Sequence, residues 1–315
     1  MDNLVSRREF SSELVVAPRP VAIIATENIA RIDRALIKLM ECGVRVEAHS
    51  RLHQARDVLV AAAQGLGITP LQRGDDLGLR ALETALDYHT IASATRPQMP
   101  ASVRRELRDS LRGSLSPPPN AFSALQLQSQ AVGFAVFALA GCEPHHPAKV
   151  QGQSPDILLD RYMSTYAVEL KRPQVRGNII ANCHVGYDQL VASGHTGAVL
   201  IDVTDCVRGL VADDVHAFVE ETGLQLLESV ATEKGRRREF RSLITVGCYA
   251  RVQAVVAESD ADAVFDLITT CRIAVLANVR NSLEDHRARW IRDSHETGMK
   301  AVYDPILTPS PDRVI

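Results

Sequence analysis

Three consecutive prolines, Pro117, Pro118 and Pro119, sit in the stretch GSLSPPPN at residues 113–120 and constrain the fold more than any other feature of the chain. Proline locks φ and has no backbone N–H to donate, so such a run excludes helix and favours an extended linker. The chain therefore divides into residues 1–116 and 117–315. At 315 residues each part is long enough to bury a core of its own. A hydrophobic content of 46% with 23% charged residues argues against extensive disorder.

The first part reads as mainly helical. In ATENIARIDRALIKLMECG, Ile29, Ile32, Leu36, Ile37 and Met40 recur at helical steps, and Gly43 supplies a stop. LHQARDVLVAAAQGLG, DDLGLRALETALDYHTIASA and SVRRELRDSLRG repeat the habit, while GVRVEAHS suggests one short strand. A helical N-terminal domain for recognition or regulation is expected.

After the prolines the texture changes. NAFSALQLQSQAVGFAVFALAGC is apolar and long enough to prefer helix. PAKVQ, DILLDRY and TYAVELK read as strands, with Met163 and Ser164 as the turn between the last two. A helix is predicted in QVRGNIIANCHVGYDQLVASG, with Val175, Ile179, Ile180, Cys183, Tyr187, Leu190 and Val191 on one side, and GAVLIDVT reads as a buried strand. Beyond it come a predicted helix in ADDVHAFVEETGLQLLESVA, a strand-rich RSLITVGCYARVQAVVAE and a helical tail from Ser259 to Trp290. The fold class expected is α/β, a mixed sheet flanked by helices.

The hairpin of DILLDRY and TYAVELK carries the chemistry. Asp156 opens one strand and Glu169 lies near the end of the other, so the two can stand side by side at one sheet edge. Side chains alternate along a strand, which puts Glu169 and Lys171 on one face and Leu170 on the other. Two carboxylates, with the Leu170 carbonyl and water, make a hard-oxygen site suited to Mg²⁺, with Mn²⁺ as the alternative ion. A lysine beside such an ion can orient an attacking water and offset charge on a phosphate. The plainer alternative makes Asp156 a turn residue that starts a strand, and Glu169 and Lys171 an exposed strand end.

At these residues, Pro155, Asp156, Glu169 and Lys171, the chain resembles the PD-(D/E)XK nuclease superfamily over roughly residues 120–205. The resemblance implies a restriction-endonuclease-like core, a divalent metal and phosphodiester hydrolysis. Asp156 and Glu169 carry over as metal ligands and Lys171 as the catalytic lysine. Several members add an acidic residue on the first core helix, where this chain has Gln126, Gln128 and Gln130. That departure puts a third side-chain ligand and a two-metal site in doubt. The expected function is that of an endonuclease in bacterial defence or DNA processing. The alternative is a non-catalytic protein that keeps the fold as a scaffold.

Nucleic-acid contacts are expected from Arg172, Gln174 and Arg176, where a helix begins, and from Arg236, Arg237 and Arg238 in EKGRRREFR. Ordinary surface solvation accounts equally simply for the first group, and a solvated loop ahead of a strand is the readier account of the second. Net charge is −3 and pI near 6.4, so such binding needs a local patch. One Trp and 4% aromatic residues argue against a stacking platform for single strands, which leaves duplex DNA as the expected partner. A protein partner of the N-terminal domain and self-association are both left open. Cys142, Glu143, His145 and His146 cluster in CEPHH but lack the second half of a zinc pattern, so a polar loop near the cleft is expected.

The six cysteines are isolated, with no Cys-X-X-Cys pair, and no apolar run reaches membrane-spanning length. A reducing, cytoplasmic setting without a membrane partner is expected. No Gly-X-X-X-X-Gly-Lys-Ser/Thr loop or Gly-X-Ser-X-Gly elbow is present.

Overall fold

The computed structural model describes residues 10–15, 19–65, 76–117, 123–147, 154–161, 163–207, 217–218, 221–223, 225–226, 241–245, 248–253, 264–277 and 282–307. In chain order its elements begin with β1 (Phe10–Val15), β2 (Arg19–Pro20), α1 (Val21–Glu41), α2 (Arg51–Ala63), α3 (Asp76–Ala94) and α4 (Ala101–Ser110). Next come α5 (Ser123–Leu139), β3 (Pro144–His145), β4 (Ile157–Arg161) and β5 (Ser164–Lys171). A 3₁₀ turn at Arg176–Asn178 leads into α6 (Ile179–Ser193), followed by β6 (Gly197–Asp202), β7 (Arg241–Thr245), β8 (Cys248–Gln253), β9 (Val264–Ala277) and α7 (Ser282–Leu307). The protein is thus α/β, with a mixed sheet and several helices.

The chain forms two compact units that alternate along the sequence. One comprises Glu13–Ala135, Cys248–Thr270 and Lys300–Ile315, and the other Met1–Ser12, Val136–Gly247 and Cys271–Met299. Of the three prolines, Pro118 and Pro119 lie outside the described residues.

In the first of these units α1, α2 and α3 pack on one another. The buried stripe of α1 is Ile24, Asn28, Ile32, Ala35, Leu36 and Leu39, spaced at three and four residues. Ile32 and Leu36 are buried as the periodicity predicts, but Ile37 and Met40 lie on the solvent side, each 55% exposed. Gly43 stops the helix with a left-handed φ of +76°. The expected strand in GVRVEAHS is instead a coil with turns at both ends. Its last residue, Ser50, is already the N-cap of α2 and accepts a bond from the His53 amide. Helix α3 is buried on every side from Ala81 to Tyr88. Two of its polar groups find partners inside: the Tyr88 and Ser110 hydroxyls lie 2.8 Å apart, and Gln128 Nε2 donates to Asp87 Oδ2 at 2.5 Å. Burial pushes the Tyr88 phenol up to about 12.

The other unit is built on a sheet with strands in the order β3, β4, β5, β6, β7 and the second half of β9. The first two pairings are antiparallel, β5–β6 and β6–β7 are parallel, and β7–β9 is antiparallel again. Helix α6 makes the crossover that two parallel strands require. It lies on the face that carries Glu169, Lys171 and Val199. Tyr166, of opposite parity on β5, meets Trp290 of α7 with ring centroids 5.8 Å apart. Helix α7 in turn meets α5, where Phe137 and His295 stand edge to face at 5.7 Å.

Several expectations need correction here. The first short strand comes from Pro144 and His145, within CEPHH, and PAKVQ from Ala148 onward lies outside the described residues. Ser164 belongs to β5, where it pairs with Arg161. Val175 lies ahead of the helix in extended conformation and is exposed, and Val191 is exposed because the buried face of α6 runs through Ile179, Cys183, Gly186, Tyr187 and Leu190. The predicted helical tail is a strand from Val264 to Ala277, and only from Ser282 is it helix. The β-branched Val264, Ile268, Thr269, Thr270, Ile273 and Val275 explain the outcome, since such side chains are stiff in a helix and fit a pleated surface. Most of the helix expected in ADDVHAFVEETGLQLLESVA lies outside the described residues. Among the described residues, no helix is long and apolar enough to cross a membrane.

Candidate active site

The β4–β5 hairpin sets the site. Ile157 pairs with Val168, so Asp156, one residue earlier, stands opposite Glu169, one residue later. The pair is tied by two bonds: the Asp156 amide donates to Glu169 Oε2 at 3.2 Å, and the Leu170 amide donates to Asp156 Oδ2 at 2.7 Å. Lys171, on the same face as Glu169, donates from Nζ to Glu169 Oε1 at 2.7 Å. Asp156, Glu169, Leu170 and Lys171 thus come together as expected.

Burial separates this arrangement from an exposed strand end. The side chains of Glu169 and Lys171 are only 2% and 14% exposed. Burial raises the Glu169 carboxyl above its ordinary value, while Lys171 and then Asp156 pull it back down. A buried carboxylate held in its charged form needs positive charge nearby.

Helix α6 closes over these groups at a glycine. A Cβ at Gly186 would fall 2.8 Å from Val199 Cγ1 and 3.4 Å from both Glu169 Cγ and Lys171 Cε. The isolated glycine within an apolar helical pattern was the available signal for such a close approach. On the other side, His146 Nδ1 lies 3.0 Å from the Asp156 carbonyl. A carbonyl can only accept, so this nitrogen carries the proton and donates. Part of the CEPHH segment therefore does reach the site.

The expected phosphate contacts fare differently. Arg172 is not available to a phosphate: its side chain is 1% exposed, and Nε donates to Asp205 Oδ2 at 2.7 Å, with Asp202 Oδ2 3.7 Å from Nη1. Arg176 is at the surface, but its Nε donates to the Cys206 carbonyl at 3.2 Å and its guanidinium lies 4.6 Å from the Phe218 ring centroid. Gln174 is half-buried between them. Arg236, Arg237 and Arg238 lie outside the described residues. Asp202 and Asp205 were missed in the sequence, where nothing marks two acidic residues after a strand as partners for an arginine thirty residues earlier.

Among the described residues, no three or more His, Cys, Asp or Glu side chains gather so as to hold a metal ion. A cation placed here would have Asp156 and Glu169 as its side-chain donors. Two hard carboxylates facing each other, one of them buried, fit Mg²⁺, which takes one or two carboxylates and keeps several waters. The chain matches no family model, no curated protein and no solved structure.

Proposed function

We propose that the protein is a metal-dependent nuclease hydrolysing phosphodiester bonds, an endonuclease of duplex DNA with a restriction-endonuclease-like core. The observation that carries this reading is the convergence of Asp156, the buried Glu169 and Lys171 at one edge of the β4–β5 hairpin. Asp156 and Glu169 would hold Mg²⁺, or Mn²⁺ in its place. When bound, the ion supplies positive charge against the scissile phosphate.

The chain's own residues do the rest. Glu169 fixes the direction of Lys171 through their 2.7 Å ion pair, so the ammonium is ordered before substrate arrives. Lys171 then orients the attacking water and offsets the charge that builds on the phosphate. The Leu170 amide holds Asp156 in its rotamer.

The second reading, a non-catalytic scaffold, takes the same three residues as a strut. In its favour, both Glu169 oxygens already have a partner within the chain. Incubating supercoiled plasmid, linear duplex and RNA with Mg²⁺ or Mn²⁺, with and without chelator, separates the two. The nuclease reading expects metal-dependent cleavage that chelator abolishes, and the scaffold reading expects none.

A further inference from the structure

Three of the five residues that follow Lys171, namely Arg172, Pro173 and Arg176, are bound to the chain leaving the neighbouring strand. Strands β5 and β6 are parallel, with Lys171 in register with Ile201, so the chain after Lys171 and the chain after Asp202 leave the sheet at the same edge. There the two segments are cross-linked. Arg172 Nε donates to Asp205 Oδ2 at 2.7 Å, with both side chains nearly excluded from solvent at 1% and 3% exposure. The Cys206 thiol donates to the Pro173 carbonyl at 3.3 Å, and Arg176 Nε donates to the Cys206 carbonyl at 3.2 Å. Asp202 is itself held, its Oδ1 accepting from the Thr204 amide and hydroxyl.

Cys206 is suited to this role. Burial, with Asp205 and Asp202 nearby, pushes its thiol up to about 12, so it stays a neutral S–H donor.

We infer that Arg172 and Arg176 are positioning residues: with Asp205 and Cys206 they clasp the exit of β5 to the exit of β6 and thereby fix Lys171. This rests on reading Lys171 as the catalytic lysine and deepens it. Lys171 stands on the last position of β5, where a free strand end would fray. The clasp begins at the next residue. Asp156 and Glu169 are set separately, by the β4–β5 ladder. The clasp therefore sets the strand end that carries Lys171, whose ammonium Glu169 directs, and leaves the carboxylate pair alone.

The test compares wild type, Arg176→Ala, Arg176→Lys and the double variant Arg172→Met with Asp205→Asn on linear duplex DNA with Mg²⁺ at several salt concentrations. The double variant removes the Arg172–Asp205 pair as a unit, because a buried charge left without its partner is strongly destabilising, and it leaves Asp202 held by Thr204. Arg176 lies at the surface, so its variants fold even if the double variant does not. A clasp predicts that Arg176→Ala and the double variant bind Mg²⁺ within about threefold of wild type and lose about tenfold or more in kcat, since small misplacements cost that much. KM and its salt dependence stay unchanged, and Arg176→Lys, which keeps a donor for the Cys206 carbonyl, recovers part of the loss. A phosphate contact predicts instead an unchanged kcat, a raised KM and a salt slope reduced by about one. That result for Arg176→Ala overturns the inference, as does wild-type kcat in the folded variants. A wild type that cleaves nothing overturns the nuclease reading and the inference together, whereas a cleaving wild type matched by its variants overturns the inference alone.

Discussion

The Asp156 amide donates to the Glu169 carboxylate while the Asp156 carboxylate receives the Leu170 amide, so the two acidic residues are locked face to face across the β4–β5 ladder. A cation shared by this pair must stabilise the folded protein. Mg²⁺ at about a hundredfold above its Kd adds about 2.7 kcal/mol, read as a rise in Tm that chelator reverses. Asp156→Asn keeps an acceptor for the Leu170 amide but removes the charge, and should lose that rise. A metal-independent Tm in wild type contradicts the site.

Glu169 sets a pH dependence whose sign follows from its environment. Its carboxyl is raised by burial, so the folded protein keeps a proton that the unfolded chain has released. The stability linked to this group is full below the ordinary carboxylate value and is lost as pH rises through the folded value. Glu169→Gln, measured without metal, should therefore become more stable relative to wild type as pH rises from about 4 to about 8. Equal differences at both pH values contradict the assignment.

His295 works in the opposite direction. It is 2% exposed, packs edge-on against Phe137, and its Nδ1 finds no hydrogen-bond partner among the described residues. Burial lowers its pKa to about 4. The associated stability is present above about 6.5, the ordinary value, and is lost as pH falls toward the folded value. His295→Leu should flatten the fall in Tm between pH 6.5 and 4, as thermal unfolding across that window shows.

Much of the site was legible because strands announce themselves locally. Alternation placed Glu169 and Lys171 on one face, and the hairpin spacing placed Asp156 opposite Glu169. What the sequence concealed was depth. An acidic residue near a strand end reads as exposed, but α6 passes close over Glu169 at Gly186 and the side chain is buried. Long-range pairing was equally hidden: Arg172 reads as a surface cation until β6 brings Asp205 beside it. The segment Val264–Ala277 was misread because its apolar run fits either period, and its β-branched content decided for strand. Helix α1 was rotated in the sequence reading, since Ile37 and Met40 extend an apolar pattern that the packing does not use.

The most direct test of the central claim is the rate at which Lys171→Ala cleaves linear duplex DNA at saturating Mg²⁺, measured beside wild type. Asp156 and Glu169 stay in place, so the variant should still show the Mg²⁺-dependent rise in Tm. Its turnover should fall by about 10²-fold or more, the scale of losing one positioned electrostatic or acid–base group. Cleavage at the wild-type rate, with metal bound, would contradict the catalytic role of Lys171 and the site built around it.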